Sequence, residues 1–212
     1  YILVVAGNLA GSSTAGLGLS PDMNTLLSLL GTALFSGLIL MMCVATWDNP
    51  VVKKPDPKVR RLAMAGLHGM ILQVILGAWV THTHAGLACP SFPLCLNNFF
   101  PIPFTAETSL TFLHRWWGVL MLGLFFHLAI TTAKKIPELA RPALQVLGLS
   151  IAQVFLGIGT VMTGLDFGSR ALHAAVGYSI WGILFYLAIR VGAVRWRPHS
   201  TDTTAKQTAR TR

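Results

Sequence analysis

Leu113-His114-Arg115-Trp116-Trp117-Gly118 recurs fifty-nine positions later as Leu172-His173-Ala174-Ala175-Val176-Gly177, and each copy opens a long apolar run. Ahead of each copy lies a second shared string, Gln73-Val-Ile-Leu-Gly77 and Gln153-Val-Phe-Leu-Gly157. Each of these is followed by a Gly-Leu pair, Gly86-Leu87 and Gly164-Leu165. The repeating unit is therefore a helix pair: an outgoing helix with Gln and Gly, and a returning helix with His near its start. Residues 59–192 hold two copies, which predicts a four-helix bundle. A degraded third copy precedes them: Gly7 to Leu17 parallels Gly77 to Leu87, and Leu26-Leu27-Ser-Leu-Leu-Gly31 puts Leu27 at the histidine position.

The apolar runs around these strings cover roughly 25–46, 59–81, 110–133, 142–164 and 170–192. Each has about the 20 residues that cross ~30 Å of hydrocarbon. Residues 1–16 read as part of another such helix. In lipid a spanning segment must satisfy its own backbone, so the fold class is all-α integral membrane with six helices. Composition agrees: 53% of the 212 residues are hydrophobic and 11% charged, against about 25% charged in a soluble domain. That excludes an ordinary cytosolic enzyme, a disordered tail and a nucleic-acid module. The chain starts at Tyr1 inside an apolar stretch, and further spans are expected upstream.

Charge sets the orientation. Fourteen of the sixteen Lys and Arg residues lie in the connection 48–61, in the connection 134–141, or at and beyond Arg190. The opposite side has only Asp22, Glu107, Asp166 and Arg170, with Arg115 just inside a helix. The basic side is expected to be cytoplasmic, in a bacterial-type cytoplasmic membrane or a mitochondrial inner membrane. The reading divides the chain into a degenerate helix pair (1–47), a cytoplasmic connection (48–58), the bundle (59–192) and a basic cytoplasmic tail (193–212). The outer connection then contains Cys89-Pro-Ser-Phe-Pro-Leu-Cys95. In an oxidising space Cys89 and Cys95 form a disulfide; the alternative is two free thiols. Cys43, alone in a helix, is a packing residue.

His114 and His173 sit at one depth in helices that run the same way. Two neutral imidazoles on facing helices can ligate a heme iron axially, and Gly118 and Gly177, one turn on, leave room for a flat macrocycle. The alternative is a polar residue bonded to a neighbouring helix. Arg115 and Arg170 can pair with heme propionates or anchor the helices at the interface. Trp116 and Trp117 suit an aromatic belt. His68 and His127, nearer the basic side, are candidates for a second heme. His82 and His84, at the end of a helix, are read as facing solvent. Phosphate loops, dinucleotide fingerprints and nucleophile motifs are absent from the sequence.

Gln73-x-x-x-Gly77-Ala, Ala85-Gly86-Leu87-Ala-Cys89-Pro…Pro93-Leu94-Cys95, Leu113-His114-Arg115 and Gln153…Leu172-His173 together resemble the heme A synthase family. The likeness is good over 59–192 and weak over 1–47. It implies eight helices in two bundles, one for a heme O substrate and one for a heme b cofactor, with heme O oxidised to heme A for cytochrome oxidase. By this mapping His114 and His173 bind heme b. Two departures stand out. Leu27 replaces a histidine of the first bundle, and the Glu that the family's catalytic half carries three residues before its His-Arg is not seen, since Thr111 stands there before His114, as suits the cofactor half, and the equivalent first-bundle segment is not visible. Three readings follow: a heme A synthase-like oxidoreductase; a non-catalytic heme b electron-transfer subunit of a respiratory complex; and a heme-free assembly scaffold. The expected partners are membrane lipid, heme, and other respiratory or cytochrome oxidase assembly subunits.

Overall fold

A computed structural model describes residues 21–47 and 50–194. Five helices in it are long and apolar enough to cross a membrane: α1 (Pro21–Thr46), α2 (Pro57–His82), α3 (Ala106–Lys135), α4 (Ala140–Met162) and α5 (Phe167–Arg190). Six were expected; the helix read over 1–16 lies outside the described residues, as does nearly all of the basic tail. Among the described residues there is no strand beyond an isolated bridge between Cys95 and Asn98.

The helices start two to four residues before the apolar runs do, and in three of them a polar cap sets the first turn. Asp56 accepts from the Lys58 and Val59 amides, with Pro57 at the first helical position, where its missing N–H costs nothing. Thr105 and Thr108 form a reciprocal capping box at the start of α3, satisfying amides that have no partner within the helix. Asp166 caps α5 through the Gly168 and Ser169 amides.

Helices α2, α3, α4 and α5 close a ring in which each packs on the next and α5 returns to α2. This is the expected four-helix bundle. Between helices in lipid, association rests on close van der Waals packing and small residues rather than on a hydrophobic drive. Buried Ala63, Ala129, Ala143 and Ala188 serve that end. A Cβ at Gly66 would stand 3.1 Å from Phe125 and 3.3 Å from Leu184, so glycine there sets how near α2 comes to its neighbours.

The tightly filled part of the interior lies toward the basic connections, around Phe125, Leu128, Val146, Leu184 and Leu187. It ends near Met70, Met121 and Ile180. Helix α1 lies outside the ring against α2 and α5, held by the Trp181 indole donating to Ser36 Oγ at 2.9 Å and by a small cluster of Ile39, Cys43 and Ile189. Its opposite face carries exposed Leu27, Leu30, Leu34, Leu38 and Met41. Leu27 thus points away from the bundle, since it lies half a turn around the helix from Ser36.

Candidate functional site

Beyond Met70 and Met121 the interior changes character. Every residue of 114–118 and of 173–179 is half-buried. A helix packed on one side and lipid-facing on the other alternates buried and exposed positions; neither of these stretches presents a fully buried face. His114 lies eight residues into α3, about 12 Å along it, and His173 six residues into α5, about 9 Å. The repeat thus places them in one layer of the bundle, toward the end that carries the cysteine loop.

Each imidazole is seated by the partner helix of its own pair. A Cβ at Gly77 would stand 3.0 Å from His114 Cε1, and one at Gly157 3.2 Å from His173 Cε1. The sequence drew attention to Gly118 and Gly177 instead, but those two face glutamines: a Cβ there would lie 3.3 Å from Gln73 Nε2 and 3.2 Å from Gln153 Nε2. Gln73 and Gln153 are the residues that the site reading missed. The signal was available, since both belong to the repeated string, but spacing along one helix does not show which neighbour a side chain meets.

The two glutamines are used differently. Gln73 Nε2 donates to the His114 backbone carbonyl at 3.3 Å, whereas Gln153 Nε2 lies 3.2 Å from the His173 ring nitrogen Nε2. Gln73 Oε1, Gln153 Oε1, His114 Nδ1 and His173 Nδ1 are all buried without a hydrogen-bond partner. Each such group costs about 1–3 kcal/mol if left unmet. Four in one layer, two from each repeat, mark the place where the bundle's polar chemistry is incomplete by itself. Among the described residues no three His, Cys, Asp or Glu side chains gather as a metal cluster; a bis-imidazole heme site requires only two.

Arg115 is turned to the cysteine loop. Its Nη1 donates to the Ser91 carbonyl at 2.7 Å and its Nη2 to the Cys89 carbonyl. Cys89 and Cys95 are joined by a disulfide with Cα atoms 4.6 Å apart. Thr111 donates to the Ala85 carbonyl at 2.7 Å and so pins the start of the same loop. Arg170 is exposed at the start of α5. Trp117 is committed to packing, its indole donating to the Gly69 carbonyl at 2.9 Å, while Trp116 joins an aromatic cluster with Phe99 and Phe112. His68 and His127 are exposed on the outer surfaces of α2 and α3, and His68 Nδ1 bonds to the Met64 carbonyl at 2.8 Å. His84 is exposed and His82 half-buried at the mouth of the same loop.

The sequence profile of a family described as cytochrome oxidase assembly protein matches residues 1–185. Among curated proteins, the heme A synthase of Symbiobacterium thermophilum is 30% identical over 71% of this chain and 52% of its own length. That of Rhizorhabdus wittichii is 26% identical over 82% of the chain and 51% of its own length. The heme A synthase of Bacillus cereus is 23% identical over 98% of the chain and 69% of its own length. The chain spans about half the length of the curated relatives it matches.

Proposed function

Since the chain belongs to the heme A synthase family of cytochrome oxidase assembly proteins, we propose that its bundle binds one heme b between His114 and His173. The observation that carries this reading is the repeat-related layer itself: two imidazoles, each with a buried, unpartnered ring nitrogen. The donor set fits, because neutral imidazole is a common axial ligand. Bound there, the group supplies a one-electron couple near one face of the membrane.

The chain's own residues supply the rest. Gly77 and Gly157 admit the rings where any larger residue would displace them. An imidazole that gives one nitrogen to iron presents the other as an N–H donor and needs an acceptor to fix its tautomer. The unpartnered carbonyls of Gln73 and Gln153 are the acceptors available in the layer. Arg170, exposed at the loop end of the bundle, is placed to meet propionate charge, whereas Arg115 reaches propionates only by leaving the loop carbonyls. By the asymmetry of basic residues, the cysteine loop lies on the outer face and the C-terminus on the cytoplasmic face.

In the whole protein we propose that this bundle is the cofactor half of a heme A synthase-like oxidoreductase, with heme O and heme A as substrate and product. A second reading is a heme b electron-transfer subunit of a respiratory complex. Leu27 favours it, since a leucine facing away from this bundle offers no ligand to a second heme.

The test is a dithionite-reduced minus oxidised spectrum of purified protein with a pyridine hemochrome assay. A low-spin b-type signal with heme b as the extracted group supports the site, and heme O or heme A in the extract supports the synthase reading. Protein free of heme after expression with excess precursor overturns both and leaves the scaffold.

A further inference from the structure

At the basic end of the bundle the start of α2 and the end of α5 meet, and the Val52 amide ties the connection to α5 by donating to the Arg190 carbonyl at 2.8 Å. Beside this junction a cleft of about 270 Å³ is lined by Arg60, Arg61, Met64, Gly192 and Ala193. None of these lining residues is acidic. Two other arginines are met by protein: Arg115 by loop carbonyls, and Arg190 by the Tyr186 hydroxyl at 2.7 Å and the Trp47 ring at 5.0 Å. Among the described residues the guanidiniums of Arg60 and Arg61 have no ion-pair or hydrogen-bond partner.

The first amides of α2 are not what the cleft offers. Pro57 has no N–H, Lys58 and Val59 donate to Asp56 Oδ1 at 2.8 and 3.2 Å, and Arg60 donates its amide to the Asp56 carbonyl at 3.0 Å. The one nearby carboxylate is thereby spent on the cap, and the two guanidiniums remain. The opposite wall is set by α5. The Gly192 and Ala193 amides donate to the Ile189 and Ala188 carbonyls at 2.9 and 2.8 Å, and Gly192 takes a φ of +68°, which favours glycine.

Depth distinguishes between anions. With 26 residues, α2 is about 39 Å long, about 9 Å more than the hydrocarbon core. Centred in a bilayer, it leaves roughly 4–5 Å outside the core at each end. Arg60 and Arg61 follow Pro57 by three and four residues, about 4.5 and 6 Å along the axis. They therefore stand where headgroups give way to acyl chains, and half-buried Met64 lies about one turn deeper. A free phosphate would use only the guanidiniums, whereas a phospholipid uses both levels. A zwitterionic headgroup brings its own cation, so paired arginines favour an anionic one.

We propose that this cleft binds the phosphate of an anionic phospholipid from the leaflet that faces the basic connections. Arg60 and Arg61 hold the phosphate oxygens, for which the planar guanidinium fork is suited, and Met64 packs beneath them against the start of an acyl chain. The lipid thus bridges α2 and α5, the two helices that close the ring. The proposal rests on the membrane-spanning fold and is independent of whether the bundle holds heme.

The test uses the full chain, purified and delipidated in maltoside detergent. Its thermal midpoint is followed against added phosphatidylglycerol, phosphatidylcholine and inorganic phosphate, because a ligand that binds only the folded state raises the midpoint with its concentration. A saturable rise with phosphatidylglycerol is expected. In Arg60→Gln/Arg61→Gln the half-saturating concentration should increase about ten-fold or more, as loss of charge-assisted hydrogen bonds implies. Lys134→Gln/Lys135→Gln removes the same charge from the other basic connection and should respond like the parent. Equal weakening in both double variants reveals general attraction between charges and overturns the proposal. No rise, an equal rise with phosphatidylcholine, or an equal rise with inorganic phosphate overturns it too. A second measurement uses the unsubstituted protein and phosphatidylglycerol with a photoreactive diazirine close to its glycerol backbone. Adducts are expected at Met64, Gly192 or Ala193; adducts confined to other positions overturn the proposal without any question of variant folding.

Discussion

Gln153 Nε2 lies 3.2 Å from His173 Nε2, while its counterpart Gln73 donates to the backbone carbonyl of His114 rather than to the ring. Two side chains in equivalent positions of the repeat thus do different work. Under the bis-imidazole reading, Gln153→Leu should change the environment of the His173 ligand directly. A shift in the heme midpoint potential and in the low-spin g-values is expected, with heme content retained. Gln73→Leu should move those signals less and instead lower thermal stability by about 0.5–1.5 kcal/mol, the net worth of one hydrogen bond. Equal spectral shifts in both variants would contradict the asymmetry.

His114→Ala and His173→Ala should each abolish the low-spin heme spectrum while leaving the protein in the membrane fraction. Retention of a normal spectrum in both variants would sink the ligand assignment.

The glycines at the imidazoles offer a sharper steric test. Gly77→Ala puts a methyl 3.0 Å from His114 Cε1, tighter than ordinary carbon contacts of about 3.5–4.0 Å, and should reduce heme occupancy. Gly148→Ala has nothing within 4 Å of its new Cβ. It should leave heme content unchanged and gain about 0.5–1 kcal/mol of helix stability. Heme titration of the two purified variants, side by side, separates crowding from a general effect of glycine replacement.

Arg115 and the disulfide act on the same loop. Intact mass before and after reduction, with alkylation, should reveal two additional thiols on reduction beyond buried Cys43. Arg115→Met should lower the thermal midpoint, since it leaves two carbonyls without a charged donor, each such bond being worth about 1.5–3 kcal/mol. An unchanged midpoint would mean that other donors replace the guanidinium.

At the start of α5, the neighbouring Ser169 and Thr163 hydroxyls, together with the Ser169 and Gly168 amides that donate to it, hold the Asp166 carboxyl down at about 2, from a usual 3.8. A lowered native value means that the carboxylate stabilises the fold above the unfolded pKa, and that this contribution fades as pH falls through about 2. Asp166→Ala should therefore melt earlier than the parent protein at pH 7, and the gap between the two should close as the pH approaches 2. A gap that persists undiminished at the acid end would assign the effect to packing rather than to charge.

Much of this was legible before any coordinates. The helices follow from runs of apolar residues long enough to cross a bilayer, whereas their starts, set by the Asp56, Thr105 and Asp166 caps, lie two to four residues ahead of those runs. The bundle and the shared depth of His114 and His173 follow from the repeat, because equal spacing along equivalent helices gives equal rise. Periodicity fixes the depth and angle of a side chain on its own helix.

The partner across the helix interface was settled only by the tertiary structure. Helix crossing and inter-axial distance put Gly77 and Gly157, rather than Gly118 and Gly177, against the rings. The same geometry brings Gln73 and Gln153 into the layer and turns Leu27 outward from the bundle. A long-range contact likewise decided the fate of Arg115. Its position beside His114 left propionate pairing and interfacial anchoring both open, and the structure shows the guanidinium donating to two loop carbonyls. Local spacing determines where a group sits on its helix; the packing of whole helices and the return of a loop along their flank determine what it meets.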